Sequence, residues 1–534
     1  MNIDKSRFWD FPYTSQRMPV LADNIVCTAQ PLASTAGLRI LANGGNAVDA
    51  AIAAAITLTV VEPCMNGIGG DAFALVWDGS RMHGLNASGR APRRWTREHF
   101  AKYSAMPYRG WDTVTVPGAV SGWRELSQRF GALAFADLFE SAISHAREGC
   151  IVSPIVSRQW EGQIADIKNM PGFAAAFAPD ARAPRPGERF VCPGQAATLE
   201  AIAKSGGEEF YHGKIAAAIA EHARATGGLI DETDLAEHRA DWVDPISMSY
   251  RDVELHEIGP NGQGIGALIA LGILDNTGFE LPDLDSTAYY HYQIEAMKLA
   301  FADVYRYVGE SSAMLTVTAE HLLDPGYLRM RAKLINPATA SFPGPGKPHA
   351  GGTTYLTTAD RNGMMVSLIQ SNFKGFGSGI VVPDTGIALH NRGWGFNLIH
   401  DHPNEVGPRK RPFHTIIPGF LMRAGQPLMS FGVMGGSLQA QGHVQITTRI
   451  ADFGQNPQAV IDAPRWRIMD DNASVMVEWN FPQQAIAGLT KLGHKVLMAD
   501  RFSDEFGGSQ AIMRMREGYL GASDHRKDGQ AVGF

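Results

Sequence analysis

The chain has 534 residues, of which 45% are hydrophobic and 19% charged, and this composition excludes a largely disordered protein. Its formal net charge is −7 and it has no basic tract, so we expect no nucleic-acid partner. The longest apolar run, Ala47–Val61, is too short to span a bilayer and carries Asp49, and no secretory signal precedes it. We therefore expect a cytoplasmic protein with no membrane association.

Cysteine and histidine spacing predicts no metal centre. The four cysteines are far apart and form no metal-binding motif, so buried reduced thiols are expected. His400 and His402 flank Asp401 in a polar loop, where solvated side chains are more common than metal ligands. No motif in the chain requires a cofactor.

The N-terminal part is predicted to be helical over 28–62. The first helix ends at Gly44 and Gly45, and Asn46 is a suitable N-cap for the second. That second helix is apolar on nearly all sides, which predicts a buried position. Residues 170–188 are rich in Pro, Gly and Ala and are predicted to form a loop.

A glycine-rich turn follows a strand-like run at 246–259. Gly262, Gly264 and Gly266 stand ahead of a helix, as in dinucleotide-binding turns. The spacing is GxGxG rather than GxGxxG, and no acidic residue follows at the required distance. A packed strand-to-helix turn is therefore favoured over a nucleotide-binding oxidoreductase.

The densest Pro and Gly linker covers 336–352, and the pattern changes after it. A β-hairpin is predicted around Arg361, Asn362 and Gly363. Further strands follow in the C-terminal third, interrupted by one long helix near 439–454.

Thr353 lies where this linker meets the hairpin. A Thr hydroxyl is a poor nucleophile without a base, but a Thr that begins a chain carries its own α-amine as that base. The pKa of an α-amine is near 8, so a useful fraction is neutral at pH 7. Cleavage before Thr353 would create such a residue, although a Thr-Thr pair that opens a strand usually reflects only β propensity.

Gly435 and Gly436 form a second candidate site between a strand and a helix. Successive backbone N–H groups at such a turn are able to stabilise an oxyanion. The alternative is an ordinary helix N-cap by Ser437.

Together these segments identify the chain as similar to the γ-glutamyltransferase family of N-terminal-nucleophile hydrolases along nearly its whole length. The matching segments, in the order of the family, are GGNAVDAAIAAAITLTVVEPCMNGIGGDAF, TVPGAVSGW, TTYLTTADRNG, GFGSGI, GPRKRP, GGSLQAQ, APRW and GASDHRKDG.

The resemblance implies an α/β (α+β) fold, a four-layer αββα sandwich formed from one autocleaved precursor. Cleavage is expected between Gly352 and Thr353. It would give a large subunit of residues 1–352 and a small subunit of residues 353–534, which stay associated as a heterodimer within one intertwined domain. Whether the heterodimer assembles further stays open.

The motif positions also imply roles for single residues. Thr353 matches the nucleophile of both processing and catalysis, and Ser371 matches a Thr that hydrogen-bonds the nucleophile. Gly435 and Gly436 match the oxyanion pair. His414 and Thr415 match two serines that donate to the substrate α-carboxylate in the family.

The arginine that binds this carboxylate in the family has no strict counterpart here. Ser88 stands at its position, and Arg90 lies two residues further on. Because a guanidinium binds a carboxylate bidentately, Arg90 is a candidate for the role, and a solvated surface arginine is the alternative.

The ammonium-binding residues of the family are also replaced. Asn372 and Phe373 follow Ser371, and Phe373, Arg392 and Gly395 stand where the family has Asn, Gln and Asp. A cation would repel a substrate ammonium, so Arg392 suits a carboxylate on a substrate without an amine, unless it pairs with a neighbouring acid. The resemblance also implies that the loop over 397–406 is shorter than in family members that have a lid. An open site admits water, which favours hydrolysis over transfer to an amino acid.

We therefore expect an autoprocessing amidohydrolase that forms a Thr acyl-enzyme with a small carboxylate-bearing amide, resembling the oxamate amidohydrolases of this family. A true γ-glutamyl hydrolase or transpeptidase for glutathione-like substrates and a glutaryl-type acylase are the alternatives. A catalytically silent binding protein is a further one.

Overall fold

The computed structural model describes residues 8, 10–14, 17–343, 352–501 and 503–534. Its helices, numbered in chain order, are α1 (Pro31–Ala42), α2 (Ala47–Val61), α3 (Arg97–Phe100), α4 (Ala119–Phe130), α5 (Glu140–Glu148), α6 (Pro154–Ile167), α7 (Phe173–Phe177), α8 (Pro193–Lys204), α9 (Glu208–His212), α10 (Lys214–Thr226), α11 (Glu232–Ala236), α12 (Gly264–Asp275), α13 (Thr287–Tyr307), α14 (Ala319–Leu322), α15 (Pro325–Ala332), α16 (Leu438–Phe453), α17 (Pro457–Asp462) and α18 (Gln483–Lys491).

The strands are β1 (Val20–Ala22), β2 (Ile25–Thr28), β3 (Asp71–Trp77), β4 (Met82–Ala87), β5 (Cys150–Ile151), β6 (Arg189–Phe190), β7 (Asp241–Val243), β8 (Ile246–Tyr250), β9 (Val253–Glu257), β10 (Gly352–Ala359), β11 (Met365–Phe373), β12 (Val381–Val382), β13 (Ile387–Ala388), β14 (Gly419–Arg423), β15 (Gln426–Met434), β16 (Trp466–Ile468), β17 (Ser474–Val477), β18 (Lys495–Met498), β19 (Gly508–Arg514), β20 (Tyr519–Ser523) and β21 (Gln530–Gly533).

Two seven-stranded sheets form the centre of the described structure. Sheet A has the order β1-β20-β19-β15-β14-β9-β8, and sheet B has the order β21-β2-β10-β11-β3-β4-β7. All neighbouring strands in both sheets are antiparallel.

Three hydrophobic clusters hold the layers together. One cluster, with Phe73, Tyr355 and Phe420, contains inward-facing side chains of both sheets. A second joins sheet B to the helices that include α2 and α4, and a third joins sheet A to α12, α13 and α16. The layers therefore follow the order α-β-β-α, which confirms the predicted fold.

Helix α2 supports β10, the strand that carries the predicted nucleophile. Asn46 and Asp49 form a capping box at its N-terminus, with side-chain to backbone distances of 3.0 and 3.1 Å. Every residue of α2 is buried, and the helix packs against β10 and β11. The predicted buried helix is confirmed.

Each sheet takes strands from both sides of Gly352. Sheet B contains β2, β3, β4 and β7 from before this residue and β10, β11 and β21 from after it. In sheet A, β1, β8 and β9 precede it and the other strands follow it. A chain cut at Gly352 would thus leave two pieces joined by complete strand ladders.

Most predicted local elements are found, with one exception. The β10–β11 hairpin and the strand-to-helix turn at Gly264 are confirmed, whereas the loop predicted over 170–188 contains α7, with Phe173 and Phe177 buried in the core. The linker has no helix or strand over 336–343, and its residues 344–351 lie outside the described part.

Two further expectations concern cysteines and membranes. All four cysteines are buried and free, as predicted. Within the described ranges, no helix has both the length and the apolar character needed to cross a membrane.

Candidate active site

Thr353 is the second residue of β10, which lies between β2 and β11 in sheet B. Two residues of β11, Ser371 and Asn372, lie opposite the single residue Thr353, with regular pairs on either side. Such a bulge interrupts the ladder and changes the direction of local side chains. The irregularity therefore falls at the predicted nucleophile.

The Thr353 hydroxyl lies in a short chain of polar side chains. It is 1% exposed, and it donates to the Ser371 hydroxyl over 3.4 Å. It accepts from the Gln439 side-chain amide over 3.3 Å. The structure thus brings the two predicted residues Thr353 and Ser371 together and adds Gln439, at the start of α16.

Gly435 and Gly436 connect β15 to α16. Their φ angles are +125° and +62°, in the region that disfavours a side chain. Their N–H groups have no acceptor in the described part of the chain. Two free N–H groups in a strained turn beside a nucleophile are the arrangement that an oxyanion hole requires.

Gln263 joins the Gly435–Gly436 turn to the segment of Thr415. Its side-chain amide donates to the Thr415 carbonyl over 2.5 Å and to the Gly436 carbonyl over 2.7 Å. With both carbonyls bound, the peptide planes of the turn are held in orientation. The candidate oxyanion turn and the segment of Thr415 are therefore one unit.

A buried carboxyl group contacts β10 at the residue after Thr353. Glu62 accepts from the Thr354 hydroxyl over 2.8 Å, and Asn66 donates to the same hydroxyl over 3.2 Å. Burial raises the pKa of Glu62 to about 7, and the charge of Lys527 partly opposes this. The site thus contains a carboxyl group that titrates near neutral pH.

Arg392 lies in a turn, and the backbone N–H of the preceding residue, Asn391, donates to the Asn372 carbonyl. The Arg392 side chain is completely buried and donates to the Thr415 hydroxyl over 2.9 Å. Its guanidinium carbon lies 4.5 Å from the centre of the Phe373 ring. Its Nε and Nη2 atoms, and both side-chain polar atoms of Asn372, have no hydrogen-bond partner among the described residues. Burial lowers the pKa of Arg392 to about 9, against the opposing charge of Asp71. Unused donors on a buried cation suit an anionic ligand.

His414 is committed to Asp71. Its Nδ1 accepts from the Ile416 N–H over 3.3 Å, so Nε2 carries the proton and donates to the Asp71 carboxylate over 3.1 Å. Burial, with Arg392 next in importance, lowers the pKa of His414 well below its usual value, so the ring is neutral. Its ring N–H is thus used within the protein rather than offered to a ligand.

Arg90 is paired with acidic side chains outside the candidate site. It forms ion pairs with Glu310 and, at 3.6 Å, with Asp241, and its side chain is 40% exposed. Ser88, at the strict family position, donates to Asn86 over 2.7 Å. The structure does not bring Arg90 to the candidate site, and the alternative of a surface arginine describes its position.

A cavity of about 220 Å³ opens beside Thr353 and Gly435. Its charged lining residues are Arg158, Lys374, Arg467, Asp504, Glu505 and Lys527. Arg392, Asn372, His414 and Thr415 are not part of this lining. The open cavity at Thr353 and the buried Arg392 group are therefore separate parts of the candidate site.

One group of metal-ligand type occurs in the described ranges, namely His291, Glu295 and His494. Lys298 donates to Glu295 over 3.0 Å inside this group and lies 3.4 Å from His494. Because the ammonium already neutralises the carboxylate, we assign no metal to it.

Residues that the sequence analysis did not select are Gln439, Gln263, Glu62, Lys374 and Lys527. Gln439 and Lys527 fall inside the segments GGSLQAQ and GASDHRKDG, so the motifs gave a signal for them. Lys374 and Gln263 adjoin selected residues but have no chemical pattern of their own.

Known proteins of one family are similar to this chain over nearly its whole length. The family model described as Gamma-glutamyltranspeptidase matches residues 33–534. The chain is 37% identical to the glutathione hydrolase-like YwrD proenzyme of Bacillus subtilis, covering 96% of this chain and 98% of that protein. It is 36% identical to the oxamate amidohydrolase proenzyme of Klebsiella pneumoniae, covering 94% of this chain and 97% of that protein.

A solved structure is similar over nearly the whole molecule. The crystal structure of cephalosporin acylase from Bacillus halodurans matches with a TM-score of 0.92 and 46% sequence identity, covering 98% of both chains.

Proposed function

The chain belongs to the gamma-glutamyltranspeptidase family of amide hydrolases and transferases, and we propose that it is a proenzyme that cleaves itself before Thr353 and then hydrolyses a small amide with a carboxylate on its acyl part. The observation that carries this proposal is the Thr353 hydroxyl, held by Ser371 and Gln439 beside the free N–H groups of Gly435 and Gly436.

Processing between Gly352 and Thr353 is supported by the names of two relatives, which are called proenzymes. Cleavage would give subunits of residues 1–352 and 353–534. Because each sheet contains strands from both pieces, we propose that they stay together as a heterodimer. Gly352 begins the strand that carries the nucleophile, so the new N-terminus would lie at the site.

The proposed reaction has two steps. The Thr353 oxygen attacks the amide carbonyl while the Thr353 α-amine takes the hydroxyl proton. The Gly435 and Gly436 N–H groups bind the resulting oxyanion, an interaction worth about 3–4 kcal/mol per donor in other enzymes. The C–N bond then breaks as the α-amine returns the proton to the leaving nitrogen. Water, deprotonated by the same amine, hydrolyses the ester and releases the acid.

The preference for a carboxylate is supported by Arg392 and Asn372. Two guanidinium donors and a side-chain amide without partners are expensive to bury, and a carboxylate bound there would satisfy them. Gly395 has no charge to hold a substrate ammonium, and Arg392 would repel one. These contacts favour an oxamate-type or glutaryl-type acyl group over a γ-glutamyl group.

The acylase alternative rests on a separate observation. The cephalosporin acylase of Bacillus halodurans is 46% identical to this chain, compared with 36% for the oxamate amidohydrolase of Klebsiella pneumoniae. A longer acyl chain would place the same carboxylate further from Thr353. Both acyl lengths would use the same charged contact, so only turnover of the short and the long acyl substrate distinguishes them.

The test uses Thr353→Ala with Thr353→Ser as the matched control. We expect Thr353→Ala to remain one uncut chain without activity and Thr353→Ser to be processed and partly active. Oxamate, glutaryl-4-nitroanilide and γ-glutamyl-4-nitroanilide are then compared on the processed enzyme. Two bands from Thr353→Ala would refute the cleavage site, and preferred turnover of the γ-glutamyl substrate would refute the acyl preference. A processed protein inactive on all three would support a binding protein.

A further inference from the structure

Thr354, the residue after the proposed cleavage point, is held by a buried carboxyl group. Glu62 caps the C-terminus of α2, is buried, and accepts from the Thr354 hydroxyl over 2.8 Å. The Thr353 hydroxyl instead contacts Gln439 of α16. Neighbouring residues of a strand point to opposite faces of a sheet, and these two follow that rule. Glu62 therefore acts on β10 from the side of the sheet away from the candidate site.

A second side chain sets the direction of this hydrogen bond. The Asn66 amide donates to the Thr354 hydroxyl over 3.2 Å, and its oxygen accepts from the Gln370 amide over 2.7 Å. The second contact fixes which end of the Asn66 amide faces Thr354, so Asn66 gives a proton to the Thr354 oxygen. The Thr354 hydroxyl then directs its own proton to Glu62, both when that carboxyl group is neutral and when it is ionised.

Thr354 lies at the edge of the β-bulge. It pairs with Gln370 in the regular part of the β10–β11 ladder, whereas Gly352 pairs with Phe373 beyond the irregularity. Gln370 is also tied to α2, because its side-chain amide donates to the Ala55 carbonyl over 2.6 Å. The regular pair that borders the bulge is therefore held against α2 from both strands.

The proposed self-cleavage places a specific demand on this pair. The Thr353 oxygen must reach the carbonyl carbon of Gly352, so the peptide bond between them has to leave the regular strand conformation. The oxygen–carbon bond forms, the carbon–nitrogen bond breaks, and the hydroxyl proton ends on the Thr353 nitrogen before water hydrolyses the ester. A strained backbone of this kind persists only where the surrounding structure holds its neighbours. Thr354 is the neighbour that has to stay in place.

The charge of Glu62 depends on groups from other elements. Burial raises its pKa to about 7, while the charge of Lys527 lowers the pKa and that of Asp528 raises it. Cys64 also faces Glu62, and burial, followed by the charge of Glu62, raises the pKa of this thiol well above its usual value, so the thiol is neutral. Of these groups, Lys527 favours the ionised carboxylate. A charged acceptor forms the stronger hydrogen bond, so the hold on Thr354 strengthens as Glu62 ionises.

We infer that Glu62 is a positioning residue for self-cleavage, which holds Thr354 while the Gly352–Thr353 bond turns toward the Thr353 hydroxyl. The inference rests on the proposed function, because it takes that bond as the cleaved one. Two consequences follow from the contacts. Loss of the Thr354 hydroxyl should slow cleavage, and loss of the Glu62 charge should slow it only where Glu62 is ionised.

The first test removes the hydroxyl and keeps the bulk of the side chain. We expect Thr354→Val to slow conversion of the 534-residue precursor into two chains about tenfold, as for one buried hydrogen bond to a charged group, and Thr354→Ser to retain most of the rate. Thr358→Val is the matched control, because Thr358 is buried on the same strand and donates to the Ala47 carbonyl of α2 over 2.6 Å. This control should lower the Tm and leave the rate unchanged. A wild-type rate in Thr354→Val, or equal slowing in both Val variants, would overturn the inference.

The second test follows the charge. Precursor made by cell-free synthesis with a short labelling pulse is transferred to buffers from about pH 5.5 to about pH 8.5, and the rate of the wild type is divided by that of Glu62→Gln. Glutamine keeps an acceptor for Thr354 and has no charge. We expect the ratio to be near 1 at the acid end and to rise about five- to tenfold, with a midpoint near pH 7.

Lys527→Met supplies the check on the charge partner. Its rate is divided by that of the double variant Lys527→Met with Glu62→Gln, and the midpoint should lie about one pH unit higher, because the cation that favours the ionised carboxylate is lost. Lys527→Arg should leave the midpoint in place. A ratio independent of pH, or a midpoint indifferent to Lys527, would overturn the inference. These rates need no amide substrate, so a wrong acyl preference does not affect them. A wild-type precursor that stays uncut would instead refute the proposed cleavage, and with it this role of Glu62.

Discussion

Gln439 donates from its side-chain amide to the Thr353 hydroxyl over 3.3 Å. The oxygen of the same amide accepts from the Ile417 N–H over 3.0 Å, which fixes which end of the amide faces Thr353. Because Gln439 donates to the Thr353 hydroxyl oxygen, the hydroxyl proton of Thr353 is directed to Ser371. One lone pair of the same oxygen is held by Gln439 and does not face the substrate. We therefore expect Gln439 to act as a positioning residue for Thr353, the proposed nucleophile.

The variant Gln439→Met keeps the size of the side chain and removes its donor. We expect kcat to fall about 10- to 100-fold with a small change in KM, because one buried hydrogen bond to the reacting oxygen is lost. Gln445→Met is the matched control, since Gln445 is buried on the same helix and bonds Trp466 instead. A similar loss of kcat per folded molecule in both variants would show that Gln439 acts only through stability.

A methyl group on Gly435 should disable the oxyanion turn. The φ of +125° is unfavourable for alanine, so Gly435→Ala is expected to rotate the turn and misdirect its N–H groups. We expect kcat to fall about 10²- to 10³-fold, the range found when an oxyanion donor is lost. Steady-state kinetics on purified, processed enzyme measures it.

Gly425→Ala provides the control for backbone strain. Gly425 has a φ of +73° in the β14–β15 turn and nothing within 4 Å of an added Cβ. This variant should lower the Tm while leaving kcat unchanged. Equal kcat in Gly435→Ala and wild type would contradict the assignment of the turn.

Local chemistry made part of the site predictable from the sequence. Thr353 follows a linker and opens a hairpin, and the glycine pair stands between a strand and a helix, so both have a pattern within a few residues. Lys374 has none, because only the fold brings it into one cavity with Thr353 and Gly435.

Helices α2 and α13 differ in how far the sequence predicts them. Helix α2 was predictable because its composition alone implies burial. Helix α13 has no counterpart among the predicted elements. It buries His291, Glu295 and Lys298, polar residues at positions where a helical pattern requires apolar ones. These polar side chains lie beside an apolar face at helical spacing that includes Ile294, Met297 and Phe301, and their tertiary pairing permits their burial.

Stability should depend on pH through Glu62. Burial raises its folded-state pKa from 4.5 to about 7, so between these values the folded protein binds a proton that the unfolded chain does not. The contribution is complete below 4.5 and is lost as pH rises through about 7, amounting to about 3 kcal/mol. Glu62→Gln keeps an acceptor for Thr354 and removes the titration.

We therefore expect the Tm of the wild type, relative to Glu62→Gln, to fall between pH 5 and pH 8. Glu161→Gln, an exposed acid of α6, controls for the loss of a carboxylate. Parallel Tm profiles for wild type and Glu62→Gln would contradict a proton on Glu62 in the folded state.

The segment before the proposed cleavage point is anchored by a buried ion pair. Glu295 accepts from the Ser341 N–H over 2.8 Å, and Lys298 donates to the Ser341 carbonyl over 3.0 Å. The two side chains are completely buried and 3.0 Å apart. Removing one partner leaves the other charge buried alone, at a cost of about 3–5 kcal/mol. Glu295→Leu and Lys298→Met are each expected to lower the Tm strongly.

The double variant separates stability from anchoring. Glu295→Leu with Lys298→Met removes both charges, so we expect it to recover most of the Tm lost by the single variants. It has no group that holds Ser341, so conversion of the 534-residue precursor into two chains should stay slow. The half-time of conversion is followed by denaturing electrophoresis on freshly purified precursor. A double variant that regains both its Tm and the wild-type rate would show that the ion pair serves stability alone, because the anchor would then be dispensable for placing Gly352 and Thr353.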